Sequence, residues 1–154
     1  MQDRYLTTTT VEDIEYISPR LRKADYEECK ASTGCEPLDI LLDSLEIGDF
    51  CFTLRPNDHS RVGLFGVCPS PLMDNAGIIW MVATDELLEY QMKFLRRSRK
   101  YIDILQEQYA VLHNCVDARN KLHIKWLKWM GFKFIKLHEK YGAEQKPFYE
   151  FIRI

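Results

Sequence analysis

Apolar and polar positions along this chain recur with two periods, one close to two and one close to three and a half, and each predicts an element. Thr7 to Val11 is β-branched and alternates weakly, which predicts a first strand. Past Pro19, residues 20–33 set Leu21, Ala24, Tyr26 and Cys29 among charges and predict a helix that Gly34 stops. Pro37 opens a second helix with Leu38, Leu41, Leu42 and Leu45 at three-to-four spacing, ended by Gly48. Phe50–Arg55 and Arg61–Val67 read as a hairpin around Pro56-Asn57-Asp58-His59. Gly77-Ile-Ile-Trp-Met-Val-Ala83 is apolar almost without a break, as expected of a strand at the centre of a sheet. A polar, acidic stretch over 84–91 leads into a long helix near 90–108, marked by Phe94, Leu95, Tyr101, Ile102 and Leu105. Tyr109–Val116 is the next strand, and a helix capped by Asn120 runs to Gly131. Strands Phe132–His138 and Phe148–Ile154 close the chain around a loop through Gly142.

The order β, α, α, β, β, β, long α, β, α, β, β combines local hairpins with at least one β-α-β crossover, which predicts a single α/β domain over 1–154 with a mixed sheet. Composition changes little in that picture. The 154 residues, 46% hydrophobic and 29% charged, are those of a globular chain, and a net charge of −2 gives no bulk attraction to nucleic acid or anionic membrane. The run Lys93, Arg96, Arg97, Arg99, Lys100 is local and reads as a solvated helix face. No apolar run is long enough to span a membrane, and Met1-Gln-Asp-Arg-Tyr-Leu6 lacks the apolar core of a signal peptide. The five cysteines have irregular spacing with no C-x-x-C pair, so reduced, mostly buried thiols and no metal site are expected.

Asn120-Lys-Leu-His-Ile-Lys-Trp-Leu-Lys-Trp-Met-Gly-Phe132 resembles the last motif of the GCN5-related N-acetyltransferase (GNAT) fold, roughly N-x-x-A-x-x-L-Y-E-K-L-G-F. The element order is similar over nearly the whole chain and the sequence over about 77–135. The resemblance implies acetyl-coenzyme A held between two splayed parallel strands, here 77–83 and 109–116. Met81, Val82, Ala83, Lys93, Arg96, Arg97 and Asn120 would then contact the cofactor. The start of the long helix would face its pyrophosphate, as helix N-termini favour anions.

Two departures argue against acetyl transfer. Where the family carries R/Q-x-x-G-x-G/A, this chain has Thr84-Asp-Glu-Leu-Leu-Glu-Tyr-Gln-Met-Lys93, with no glycine and with Asp85, Glu86 and Glu89. Losing two or three charge-assisted hydrogen bonds of about 1.5–3 kcal/mol each would weaken binding on the order of 10²–10⁵-fold. The tyrosine that serves the family as general acid falls on Leu127, which has no proton to give, a loss typically of about 10²–10⁴-fold. His123 stands at the motif's alanine and is, with Glu86, a weak candidate for replacement acid or base; a packing histidine is the plainer reading. His113, Cys115 and Asp117 share one face of a strand, and Trp126 and Trp129 lie near one another on a helix.

The combination of Gly77-Ile-Ile-Trp-Met-Val-Ala-Thr-Asp85, the glycine-free loop, Lys93-Phe-Leu-Arg-Arg97 and the Asn120–Phe132 motif is similar to the internal virion protein A family of short-tailed bacteriophages. That resemblance implies an acetyltransferase-like protein without established catalytic residues, working through contacts with virion or host proteins, in the host cytoplasm or the virion. No cofactor is expected on that reading. The alternatives are an active acetyl-CoA-dependent N-acyltransferase and a phage-encoded inhibitor of a host protein.

Overall fold

The computed structural model describes residues 5–154, so the reading of Met1–Arg4 as free of a signal peptide's core lies outside them. The chain runs β1 (Leu6–Thr8), α1 (Val11–Ile17), α2 (Lys23–Thr33), α3 (Pro37–Ile47), β2 (Phe50–Leu54), β3 (Gly63–Pro69), β4 (Ala76–Ala83), α4 (Gln91–Gln108), β5 (Val111–Asp117), α5 (Lys121–Trp129), β6 (Lys133–Tyr141) and β7 (Lys146–Arg153), with 3₁₀ turns at Ser18–Arg20 and Asp85–Tyr90. Among the described residues seven strands form one sheet in the order β1-β2-β3-β4-β5-β7-β6, parallel only between β4 and β5. Among these residues no helix is long and apolar enough to cross a membrane.

Each face of the sheet carries its own core. Phe65, Val67, Ile79, Leu112 and Val116 meet α4 and α5 through Phe94, Tyr101, Ile102, Leu105 and Trp126. Leu64 and Val82, on the opposite face, meet Ile14, Ile17 and Leu41 of α1 and α3. Burying each such side chain contributes roughly 1.5–3 kcal/mol. α4 shows the helical period directly, its buried positions Phe94, Ser98, Tyr101, Ile102 and Leu105 forming one stripe.

The strand expected over Thr7–Val11 is cut short by a helix that the β-branched run concealed. Thr10 is the cap: its Oγ1 accepts the Asp13 N–H (3.2 Å), and Asp13 Oδ2 accepts the Thr10 N–H (3.0 Å). Asp13 is buried and also bonded by Thr53 Oγ1 (2.9 Å) and Arg61 Nε (2.9 Å), so this cap is tied into the sheet. At the other end, α5 stops as its sequence indicates. Gly131 takes φ +93°, and the Phe132 N–H reaches back to the Leu127 carbonyl (3.0 Å), closing a Schellman turn.

The two tryptophans of α5 part company. Trp126 is 2% exposed, packed on Phe94 with ring centroids 5.4 Å apart. Trp129 is 45% exposed, its Nε1–H bonded to the Leu95 carbonyl (2.9 Å) and the Arg99 guanidinium over its ring. Acrylamide should therefore quench Trp129 first, and Trp129→Phe should remove most of the readily quenched emission; unchanged quenching in that variant would contradict this placement.

Candidate functional site

β4 and β5 pair only through Ala76–Val111, Gly77–Leu112 and Ile78–His113, and beyond Ile78 they part into a wedge. Strand partners missing inside a sheet leave backbone groups to satisfy. Side chains and a neighbouring segment take up that role here. Asn114 Nδ2 donates to the Ile79 carbonyl (2.8 Å). Further along the same edge of β4, the Ala83 N–H donates to Asp25 Oδ2 (2.8 Å), and the Ala83 carbonyl accepts the Arg22 N–H (2.9 Å). Leu21 adds an isolated antiparallel bridge to Thr84. The segment entering α2 thus stands where a continuing strand would.

A buried polar network fills the wedge behind it. Asp25, 1% exposed, accepts from Arg22 Nη1 (3.0 Å) and Asn120 Nδ2 (2.9 Å) as well as from Ala83. Asn120 also accepts from Arg22 (3.4 Å) and donates to Glu28 Oε1 (3.3 Å), which takes the Asp117 N–H as well (2.9 Å). Arg119 clamps the Asp117 carboxylate from the far side (2.7 Å at its shortest). The expected Asn120 cap is therefore corrected: Asn120 precedes α5 with no side-chain capping bond, because its amide is committed to α2.

Burial pushes the Glu28 carboxyl up to about 8, helped by the nearby charges of Asp25 and Asp117 and opposed by its hydrogen bonds from Asp117 and Asn120. Part of Glu28 still opens on a cavity, while its carboxyl is packed round by protein. His123 is 6% exposed and lowered in pKa, chiefly by burial, with Asp25 opposing and Arg22 assisting. Its Nε2 lies 3.4 Å from Asp25 Oδ1 without a hydrogen bond between them, and among the described residues the nitrogen has no hydrogen-bond partner.

The cavity measures about 370 Å³, at the small end of ligand pockets. It passes through the wedge. Glu28, Cys29 and Leu41 line it on the α2–α3 side, and Ser98, Tyr101, His123 and Leu127 on the α4–α5 side. Of the residues expected to contact a cofactor, Met81 and Val82 line it, and Ala83 has its backbone engaged as described. Lys93 and Arg97 lie elsewhere, over the ring of Tyr5 (5.7 and 3.9 Å), and Arg96 is exposed on α4. Asp85 and Glu89 are exposed on the 3₁₀ turn, and Glu86 accepts a bond from Ser60 (3.1 Å), tying it to the segment before β3. His123 is thus the one catalytic candidate on the cavity.

The trio His113, Cys115 and Asp117 does not act together. His113 bonds Ser70 (3.0 Å) and Asp117 bonds Arg119, while Cys115 faces Tyr141, His138 and Glu150 from β6 and β7. Arg22, Asp25 and Glu28 were invisible as site residues, because a charged helix reads as solvated until its inward face is known. One signal did exist: Asp25 and Glu28 are three apart and share a helix face.

The fold is shared with solved acetyltransferases. A ribosomal-protein-S5-alanine acetyltransferase from Vibrio fischeri superposes with a TM-score of 0.64 at 18% identity, covering 100% of this chain and 95% of that one. A Bacillus subtilis acetyltransferase in complex with CoA gives 0.65 at 12% identity, covering 96% and 94%. An acetyltransferase of the GNAT family from Streptococcus pneumoniae gives 0.64 at 12%, covering 96% and 97%. This is the GNAT acetyltransferase fold. At such identities the GNAT likeness extends to architecture alone. A family model described as "Bacteriophage T7, probable scaffold protein Gp13" matches residues 73–140, from the loop before β4 through most of β6. A search of curated proteins returns no match.

Proposed function

We propose that this chain is an acetyltransferase-like phage protein whose wedge does not take acetyl-coenzyme A and which works through protein contacts in virion assembly. The carrying observation is the edge of β4. The backbone groups that a ligand in the wedge would need at Ile79 and Ala83 are bonded to Asn114, Asp25 and Arg22. The turn before α4 supports the same reading. It has no glycine and adds Asp85, Glu86 and Glu89, while Lys93 and Arg97 face Tyr5. The match to the T7 scaffold model over 73–140 supports the phage setting and a role in assembly. Calorimetric titration with acetyl-coenzyme A should give no heat of binding up to millimolar cofactor, with the wild-type chain recovered alongside virion proteins from cross-linked infected cells. Micromolar affinity would overturn the reading.

The alternative, an acetyl-CoA-dependent N-acyltransferase, has one observation of its own. Glu28 lines the cavity, and burial pushes its carboxyl up to about 8, so the carboxylate present above that pH would accept a proton from an amine. On that reading Glu28→Gln abolishes transfer and Leu127→Tyr raises turnover by restoring an acid.

A further inference from the structure

Outside the wedge network, a second cluster of chemically capable side chains sits on the α2–α3 face of β5, β7 and β6. Cys115 and Glu150 are direct register partners on β5 and β7, and His138 is paired with Phe148, one pleat along on β6. One donor atom from each of Cys115, His138 and Glu150 lies within 4.8 Å of the other two, and all three residues are half-buried. We propose that Cys115 Sγ, an imidazole nitrogen of His138 and a carboxylate oxygen of Glu150 form a binding site for zinc or a similar divalent first-row metal.

The chemistry of the donors supports this. A thiolate, an imidazole and a carboxylate are the three side-chain types that bind zinc, and one of each leaves a neutral site once the thiol is ionised. His138 Nε2 and Glu150 Oε1 stand 2.8 Å apart. Two ligands of a tetrahedral ion with bonds of about 2.0 Å are separated by roughly 3.3 Å, so a small rotation of either side chain opens the space. Tyr141 shares a hydrogen bond with Cys115 and so orients the sulfur. All three donors project from a paired sheet, which holds their spacing better than loops would. Binding sends the thiol proton to solvent and moves the imidazole proton to the ring nitrogen that the metal does not use. Cys115 also lines the cavity, so water from that space would supply the fourth ligand.

The test is titration of the reduced, full-length protein with Co²⁺, followed by Zn²⁺. The site predicts one equivalent of Co²⁺, an intense visible spectrum of four-coordinate type and a near-ultraviolet thiolate-to-cobalt band, all displaced by Zn²⁺. Cys115→Ser should abolish the thiolate band, while Cys35→Ser, at a remote and exposed thiol, should keep it. Should Cys115→Ser fail to fold, His138→Gln, checked by circular dichroism, should weaken Co²⁺ affinity at least about tenfold. Absence of the thiolate band in the wild-type protein, its persistence in Cys115→Ser, or undiminished affinity in His138→Gln would each overturn the assignment.

Discussion

Asp25→Ala is expected to lower the unfolding free energy by about 3–5 kcal/mol, read as an earlier urea midpoint at unchanged slope. Three donors converge on that one carboxylate: Arg22 Nη1 at 3.0 Å, Asn120 Nδ2 at 2.9 Å and the Ala83 N–H at 2.8 Å. Alanine leaves a guanidinium that is 9% exposed as a residue beside an orphaned Ala83 N–H and an Asn120 amide left with only its bond to Glu28, and a buried charge without its counter-charge costs more than the pair contributed. Asp25→Asn keeps the shape and one acceptor oxygen, so it should fall between wild type and alanine. A loss under about 1 kcal/mol for alanine, the range of surface pairs, would mean that water reaches the wedge and the network is not sealed.

Glu28→Gln is expected to flatten the dependence of stability on pH. The folded-state value of about 8 lies above the usual 4.5, so the native state keeps a proton that the unfolded chain gives up. The stability tied to that proton is fully present below about pH 4.5 and is lost as pH rises through about 8. A shift of that size corresponds to several kcal/mol at about 1.4 kcal/mol per unit. Since Glu28 partly faces the cavity, screening reduces the figure to about 2–3 kcal/mol. Wild type should lose that much between about pH 4 and about pH 9, the span bracketing the two values, while the glutamine variant loses little over the same range. Parallel stability curves for the two proteins would contradict a buried, neutral Glu28.

The elements of this chain were legible where sequence period and end signals agreed. Pro37 and Gly48 bound α3, Gly131 stops α5 with a left-handed residue, and the apolar stretch at 77–83 falls within the strand between β3 and β5. α1 escaped because Thr7–Val11 looks like a strand and the Thr10–Asp13 cap depends on a three-residue step inside it. The candidate site was legible in part. The wedge strands and Leu127 were found through the terminal motif, while Lys93 and Arg97, expected at a cofactor, lie over the ring of Tyr5 and do not line the cavity. Their true neighbour, Tyr5, is far away in sequence, and a cation on an aromatic face leaves no mark in local period.

By itself the sequence determined most of the helices and strands, though not α1, since apolar spacing and backbone-restricted residues act over only a few positions. It also determined that the loop before α4 lacks glycine and that no acid stands at Leu127. Only the tertiary structure decided that Arg22, Asp25 and Glu28 meet Asn120 some ninety residues later, and that Cys115, His138 and Glu150 converge across three strands. The physical reason is the same in both cases. Such groups are joined by sheet register and helix docking, which buried area settles over the whole chain, and no stretch of sequence contains both partners.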